Sequence, residues 1–433
     1  MSRGAHRWLA ALVAVLILGG IVVAIAYRPG STLTIGVYSG SYWGTPTGDC
    51  YQVVDDAIAR FESEHPGVQV EYVSGISTDS YSEWLAQQIL KGTEPDVFFV
   101  LPEDFNLLVS SGALAQLDQR MDADSTFDPD AYYAPSLSSG VLEGRQYALP
   151  YESVPTMMFV NKTLLEAHDI QMPDNNWTWD DFYSICTQIT DVDQHQFGVY
   201  GYTWLDALYS NGGTLFSQDG SSCLLTSQPV QSSIRFVQQL NDLNEGYQVT
   251  SRDFDLGNVA FRPFLFSEYR AYQPYPWRVK KYSSFEWECV CMPAGDQGGN
   301  VSELQTMLLG ISSRSRNPDL AWEFAKLLSY DESIQRELYS YSHGISPLRA
   351  VAEDDEILSQ LHKDIPGDGS GSFSREVIGG IMNHALTVPK FDGYDQALTM
   401  AQTAVAKVMN SGESAVSPLL EPQREINLFL SKN

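Results

Sequence analysis

The chain has 433 residues, of which 43% are hydrophobic, and a formal net charge of −28 at pH 7. This length suffices for two or three domains with a large core, and the composition is typical of a globular protein rather than a disordered one. The strong negative charge excludes nucleic acid as an expected partner and disfavours an anionic ligand.

An apolar run of 20 residues, from Trp8 to Tyr27, lies behind a positively charged N-terminus. A run of this length can span a bilayer, and the positive flank predicts that the rest of the chain is exported. The run also ends in Ala-Ile-Ala, which fits a signal-peptidase site after Ala26, so cleavage is the competing interpretation. The length favours an anchor. The sequence therefore predicts an extracytoplasmic protein, held at the outer face of the membrane by residues 8–27 or secreted if cleaved.

The first part of the folded chain alternates predicted strands and helices. Apolar alternation predicts strands at 33–37 and 68–72, and an unbroken apolar run predicts a strand buried on both faces at 97–100. A helix with one apolar face is expected in each interval. This order indicates an α/β unit with right-handed crossovers.

Residues 144–190 form the segment around which the chain is organised. A turn at Gly144 precedes two extended segments, 147–150 and 156–160, and a helix is expected to open near Asn161. A further helix begins at Thr178, whose hydroxyl can cap the amides around Asp181. Its apolar residues at helical spacing, which predict one buried face, are Phe182, Ile185, Cys186 and Ile189.

The later part of the chain gives weaker patterns. Strands are predicted at 197–200 and 285–293, and helices at 233–243 and 394–409. The apolar residues of the last helix share one face, which is more often core than interface. Residues 364–374 are rich in Gly and Ser and predict a mobile loop.

Five cysteines, an odd number for an exported protein, stand at 50, 186, 223, 289 and 291. One disulfide is plausible, but buried structural cysteines are the better interpretation, and Cys289 and Cys291 should share one face of a strand. The acidic segment 122–130 lacks the Gly and the closing Glu of a calcium loop and indicates an ordinary turn. We find no catalytic motif and no histidine pair at metal-ligand spacing, so no cofactor and no metal are expected.

The crossover segment resembles a known family. Gly-x-x-Tyr-Ala-Leu-Pro-Tyr from Gly144, a strand ending in Asn-Lys, and Trp-Thr-Trp-Asp-Asp-Phe from Trp177 are similar to the extracellular solute-binding proteins (family 1) of bacterial ABC importers. The match is closest to the sugar-binding group. Further similar segments lie at 59–70, 94–97, 111–118, 211–216, 257–261 and 317–324. The resemblance spans roughly residues 33 to 347.

The resemblance implies an α/β fold of the two-lobed, periplasmic-binding-protein-like kind (type II), with each lobe a sheet flanked by helices and hinge crossovers between them. Residues 31–149 with about 312–365 would form the first lobe, and residues 150–311 with about 366–433 the second, after the N-terminal segment 1–30. It implies a monomer that captures a carbohydrate, most simply an oligosaccharide, by lobe closure. The closed form would be recognised by the permease subunits of an ABC transporter, without enzymatic activity.

A sugar site needs aromatic rings for the apolar face of the pyranose and carboxylates, amides or Arg for its hydroxyls. In such sheets the ligand lies outside the carboxyl ends of the strands, so loops at those ends are the candidates. The predicted ligand-binding residues are Tyr42, Trp43, Glu103, Asp104, Tyr151, Glu152, Trp204, Asp206, Glu268, Tyr269, Trp277 and Arg278.

Three alternatives stay open at this point. A secreted glycoside hydrolase needs only two carboxylates brought together by the fold, and the chain has 54 acidic residues. The same fold could serve as a ligand-sensing surface receptor without transport. Within the binding class, the acidic balance also permits a polyamine or similar cation.

Overall fold

The structure is a computed structural model that describes residues 31–44, 49–217, 219–272, 285–362, 374–387, 391, 393–411 and 416–432. Its strands are β1 Ser31–Gly36, β2 Val68–Tyr72, β3 Val97–Val100, β4 Val141–Leu142, β5 Arg145–Gln146, β6 Ala148–Asn161, β7 Phe197–Val199, β8 Val259–Leu265, β9 Trp287–Val290, β10 Glu303–Ile311 and β11 Leu386–Thr387.

The helices of the first half of the chain are α1 Gln52–Glu64, α2 Thr78–Lys91, α3 Phe105–Ser110, α4 Asp118–Ala123, α5 Ala134–Ser138, α6 Lys162–Ala167, α7 Trp179–Ile189 and α8 Trp204–Ser210, with a 3-10 turn at Pro129–Ala131. Those of the second half are α9 Gln228–Asp242, α10 Ser251–Asp255, α11 Phe266–Tyr272, α12 Pro318–Tyr330, α13 Glu332–Tyr341, α14 Arg349–Ala352, α15 Asp355–His362, α16 Arg375–His384, α17 Tyr394–Ser411 and α18 Val416–Leu430.

Nine strands of the described chain form one mixed sheet in the order β2-β1-β3-β10-β6-β8-β7, with β11 beside β10 and β9 beside β6. Strands β1, β2 and β3 are parallel, as the sequence predicts, and β10 runs antiparallel to β3 and to β6. We call β1, β2, β3, β10 and the first half of β6 the first half-sheet. The second half of β6 with β7, β8 and β9 is the second half-sheet.

The two extended segments predicted at 147–150 and 156–160 are one continuous strand, β6, and the predicted break is wrong. All fourteen residues of β6 are buried, so the strand continues through apolar surroundings without exposing its backbone. Its first half pairs with β10, up to Pro155 opposite Leu304, and its second half pairs with β8 and β9. Proline lacks an N–H donor and is tolerated where a strand changes partner. Strand β6 thus carries the chain directly from one half-sheet to the other.

Buried apolar side chains form two clusters. The larger packs on the first half-sheet and continues along β8 and β9, and the smaller joins the second half-sheet to α7, α8, α9, α17 and α18. The predicted capping box at the start of α7 is present: Thr178 Oγ1 accepts the Asp181 N–H at 3.3 Å, and the Thr178 N–H donates to Asp181 Oδ2. The predicted buried faces of α7 and α17 are likewise confirmed.

The cysteines are unpaired with one another, and four of the five are buried. Cys289 and Cys291 belong to the larger cluster while Val290 belongs to the smaller one, which confirms the predicted alternation. In the acidic segment, Asp124 accepts hydrogen bonds from Lys326 Nζ at 2.5 Å and Trp322 Nε1 at 3.0 Å. Asp124 is therefore paired with a lysine of α12.

None of the helices in the part of the chain that the structure describes is long and apolar enough to cross a membrane. The apolar run 8–27 and most of the loop predicted at 364–374 lie outside the described residues.

Candidate ligand-binding site

Loops that follow β1 and β3 meet the middle of β6 at one edge of the first half-sheet. Because β1 and β3 are parallel neighbours, their carboxyl ends lie on the same edge. This brings together five of the predicted residues, Tyr42, Trp43, Glu103, Tyr151 and Glu152, whose contacts are given below.

Glu152 is the most buried carboxylate of this group, with 3% of its surface exposed. The Trp43 indole Nε1 donates to its Oε1 at 2.6 Å, and Ser342 Oγ donates to its Oε2. The backbone N–H of Gly344 adds a third donor. Burial raises the pKa of Glu152, and these hydrogen bonds oppose the rise. The three donors, Trp43, Ser342 and Gly344, are uncharged and come from two segments that are distant from Glu152 in the sequence.

Gly344 lies against that carboxylate. A Cβ at this position would stand 2.6 Å from Glu152 Oε2 and 3.0 Å from its Cβ. Only glycine therefore allows the 342–344 segment to approach the glutamate this closely.

Trp43 and Tyr42 pack edge to face, with ring centroids 4.9 Å apart. The Tyr42 hydroxyl donates to Glu103 Oε2 at 2.7 Å. Tyr38 extends this surface, since its ring contacts Phe99, which in turn packs on Tyr151. We call Tyr38, Tyr42, Trp43 and Tyr151 the aromatic wall.

Asp104 lies next to the wall on the loop after β3. Ser82 Oγ, from α2, donates to its Oδ2 at 2.5 Å. Burial raises the pKa of Asp104, the hydrogen bond from Ser82 lowers it, and the charge of Glu103 raises it. The carboxylates at the wall are thus bound by hydroxyl, indole and amide donors.

One polar residue of α17, a helix that the sequence predicted to be core, lies near the wall. Burial raises the pKa of Tyr42, and the charges of Glu103, Asp395 and Asp104 raise it further. Asp395, at the start of α17, therefore lies within electrostatic reach of Tyr42. Next to it, Tyr394 hydrogen-bonds Tyr209 of α8. Burial raises the pKa of both hydroxyls, and the charge of Glu303 raises it further.

The structure places Trp204 and Asp206 at the start of α8. Asp206 Oδ2 accepts the N–H and the hydroxyl of Thr203 at 2.8 and 2.7 Å, as the partner of a capping box. Burial raises its pKa. Trp204 is 7% exposed and belongs to the smaller core cluster, just as Trp43 and Tyr151, at 6% and 7%, belong to the larger one. Both residues have a structural role, and whether they also contact ligand stays a prediction.

Among the described residues, Glu268 and Tyr269 have their contacts away from the aromatic wall. Glu268 Oε2 accepts the N–H of Leu265 at 3.0 Å and so caps α11. Tyr269 is 1% exposed and packs among Phe159 and Trp287. The last two predicted residues, Trp277 and Arg278, lie outside the described residues.

Sequence reasoning missed Ser342, Gly344 and Asp395. No local pattern marks them, because they reach the wall only through contacts between segments more than a hundred residues apart. Within the described ranges, His, Cys, Asp and Glu side chains form no group suited to a metal ion.

Comparisons with known proteins give one family. The sequence profile of the bacterial extracellular solute-binding proteins matches residues 44–333. The galactooligosaccharide-binding protein of Bacillus subtilis is 24% identical over 320 residues, which cover 70% of this chain and 72% of that protein.

Two solved structures show the same architecture. The sugar-binding protein MalE of Xanthomonas citri has a TM-score of 0.76 at 14% identity, over 93% of this chain and 98% of that one. The cyclic alpha-maltosyl-1,6-maltose binding protein of Arthrobacter globiformis has a TM-score of 0.75 at 16% identity, over 93% and 100%. These likenesses confirm the predicted two-lobed α/β fold of the periplasmic-binding-protein kind.

Proposed function

We propose that this chain, which belongs to the family of bacterial extracellular solute-binding proteins, captures a neutral carbohydrate between its lobes and delivers it to a membrane permease. The ligand would be an oligosaccharide that lies against the aromatic wall. It would bind without chemical change and without a cofactor.

The observation that carries this proposal is the chemistry of the aromatic wall. Four aromatic side chains, Tyr38, Tyr42, Trp43 and Tyr151, lie among the carboxylates Glu103, Asp104 and Glu152. Rings stack on the apolar face of a pyranose, and carboxylates accept hydrogen bonds from its hydroxyls.

The charge around the aromatic wall favours a neutral ligand over an anionic one. Each of the three carboxylates is bound by a hydroxyl or an indole of Tyr42, Ser82, Trp43 or Ser342. An anionic ligand would meet negative charge here, on a chain whose net charge is −28. The names of the relatives, which refer to galactooligosaccharides and to a cyclic maltose derivative, support a saccharide.

Ligand capture would proceed by closure. The ligand binds the aromatic wall at the first half-sheet, and the second half-sheet, with Asp395 of α17, then closes over it. Ligand shifts an open–closed equilibrium only as far as it prefers the closed state. In the division that we propose, residues 31–149 with about 312–365 form one lobe and residues 150–311 with about 366–433 the other. Strands β6 and β10 would connect the two lobes.

An extracytoplasmic location follows from the family. We further propose that residues 8–27 remain as a membrane anchor, with cleavage after Ala26 as the alternative, and that the protein acts as a monomer beside its permease.

Calorimetric titration of the purified full chain with neutral mono- and oligosaccharides tests the proposal. We expect saturable binding of at least one oligosaccharide, weakened about tenfold by Trp43→Ala through loss of a stacking ring. Chromatography of the recovered ligand should show it unchanged. Cleaved product would establish a glycoside hydrolase instead, and binding of spermidine but of no saccharide would establish a cation-binding protein.

A further inference from the structure

A cavity of about 520 Å³ lies beside β10, on the first half-sheet near its junction with the second. From the first half-sheet side it is lined by α3, the end of α5, the β4–β5 hairpin and β10. Thr387 lies on β11, which pairs with the start of β10, and Asp219, in the loop after α8, lines the cavity from the other side. We call it the junction pocket. Its polar lining includes Asn106, Ser139, Glu143, Asp219, Thr306 and Thr387.

The junction pocket lies across the sheet from the aromatic wall. Neighbouring residues of a strand point to opposite faces, and Glu152 and Ser153 are paired with Met307 and Thr306 of β10. Glu152 faces Trp43. Ser153 instead hydrogen-bonds Thr306 Oγ1 at 3.1 Å and Ser136 of α5 at 2.9 Å, on the side of the pocket. None of the aromatic-wall residues lines the cavity.

The interior of the junction pocket offers unused hydrogen-bonding groups beside an apolar floor. Asn106 and Thr387 are half-buried, and their side chains make no hydrogen bond within the described part of the chain. Ser139 Oγ donates to the Pro135 carbonyl and keeps its lone pairs for an incoming donor. Phe105 and Leu308, which are 4% and 1% exposed, line the cavity beside them.

Charge in the junction pocket has one sign. No Lys, Arg or His of the described residues lines it, so an anion finds no partner there. Three carboxylates line it: Glu143 and Asp219 are exposed at its rim, where water screens their charge, and Glu303 at the start of β10 is half-buried. Hydroxyl and amide groups inside suit a ligand that both donates and accepts hydrogen bonds. The volume falls within the range of small-molecule sites, roughly 300–1,000 Å³.

We infer that the junction pocket is a second ligand site, which takes a neutral, hydroxyl-rich small molecule of mono- or disaccharide size. Asn106 and Thr387 bind its hydroxyls, and Phe105 packs on its apolar side. Because the pocket has walls from both sides of the β6–β10 crossing, its ligand favours one arrangement of the lobes. This last step rests on the proposed function, in which the lobes move.

Equilibrium dialysis of the full chain against radiolabelled maltose tests the second site by stoichiometry. The wild-type chain should bind two maltose molecules. Asn106→Ala should lower the affinity for one of the two maltose molecules about tenfold, because it removes a hydrogen-bonding group. Ser139→Trp, which fills the cavity, should abolish the same one. Leu107→Ala, on the exposed face of α3 beside Asn106, is the matched control and should leave both.

Trp43→Ala should remove the other maltose molecule and leave the site that Asn106→Ala weakens. A wild-type chain with no bound maltose that Asn106→Ala weakens and Ser139→Trp abolishes would overturn the inference, whatever the total stoichiometry. Dialysis against spermidine instead of maltose should show no binding that Ser139→Trp abolishes, since such binding would mean a cation site. Failure of the aromatic-wall site alone would leave one maltose molecule that is sensitive to Ser139→Trp, which separates the two proposals.

Discussion

The indole of Trp43 donates a 2.6 Å hydrogen bond to Oε1 of Glu152, and through it the loop after β1 is bound to the middle of the crossover strand β6. Ser342 donates to the other oxygen of the carboxylate, and the backbone N–H of Gly344 also donates to this carboxylate. Three segments of the chain therefore meet on one buried side chain. The orientation of the aromatic wall depends on that side chain as much as on its own packing.

Glu152→Ala should lower the free energy of unfolding by about 3 kcal/mol, because it leaves the Trp43, Ser342 and Gly344 donors without an acceptor and opens a cavity. Glu152→Gln should cost about 1–2 kcal/mol, since its amide NH₂ cannot accept. Urea unfolding followed by tryptophan fluorescence measures both. Glu71→Ala, on the exposed side of β2, is the control and should change stability little. Equal stability of all three variants would mean that the contact contributes nothing.

Gly344→Ala should destabilise the fold by about 2 kcal/mol, because the added methyl group would stand 2.6 Å from Glu152 Oε2. Gly299→Ala is the matched control, since a Cβ there would meet only Val301, at 3.8 Å. Thermal unfolding by circular dichroism should show a lower Tm for the first variant alone. A Gly344→Ala protein as stable as the control would show that the 342–344 segment moves freely.

Glu337 should make stability depend on pH. Burial first, then the charge of Asp56, a hydrogen bond with it and the charge of Asp331, together raise its pKa to about 7, against the effect of Arg60. A carboxyl whose pKa is higher in the folded state favours folding while protonated. That contribution is complete below the unfolded pKa near 4.5 and is lost as the pH rises through 7.

Glu337→Gln, which stays neutral, should therefore be more stable than the wild type at pH 8. The gain should be about 1 kcal/mol once solvent screening is allowed for, and it should shrink towards pH 4. Urea titrations at both pH values measure it, with Glu332→Gln on the exposed side of the same helix as control. A gain that is the same at pH 4 and pH 8 would contradict the assigned cause.

Thiol reactivity should separate the cysteines. Cys50 is half-buried, whereas the other four are buried, and all five are unpaired with one another. Burial also raises the pKa of the Cys186 and Cys289 thiols, which keeps them unreactive. Titration with a thiol reagent should therefore find one reactive thiol in the native chain, absent from Cys50→Ser. Five should react after unfolding without reductant, and three or fewer would indicate a disulfide.

Elements with a local signal were predictable from the sequence. The buried run at 97–100, the capping box at Thr178 and the shared face of Cys289 and Cys291 depend on residues close in the chain, and the structure has each of them. The family resemblance in the crossover supplied the two-lobed fold. The break predicted inside β6 is absent, because the strand changes partner after Pro155 without leaving the sheet.

The site was harder to predict, because it is made by contacts distant in sequence. Tyr42, Trp43, Glu103 and Glu152 meet as expected from the carboxyl ends of parallel strands. Ser342 and Asp395 join them only through the return of the chain after β10. Glu268, placed beside an aromatic run by sequence, serves as a helix cap, a role that depends on where α11 begins.

Small-angle scattering of the full chain with and without its saccharide tests the central claim most directly. If a neutral ligand on the aromatic wall closes the lobes, the radius of gyration should fall when an oligosaccharide identified by calorimetry saturates the wild type. It should stay unchanged for Trp43→Ala at the same ligand concentration. Saturation of the wild type with no change in the radius of gyration would contradict capture by closure.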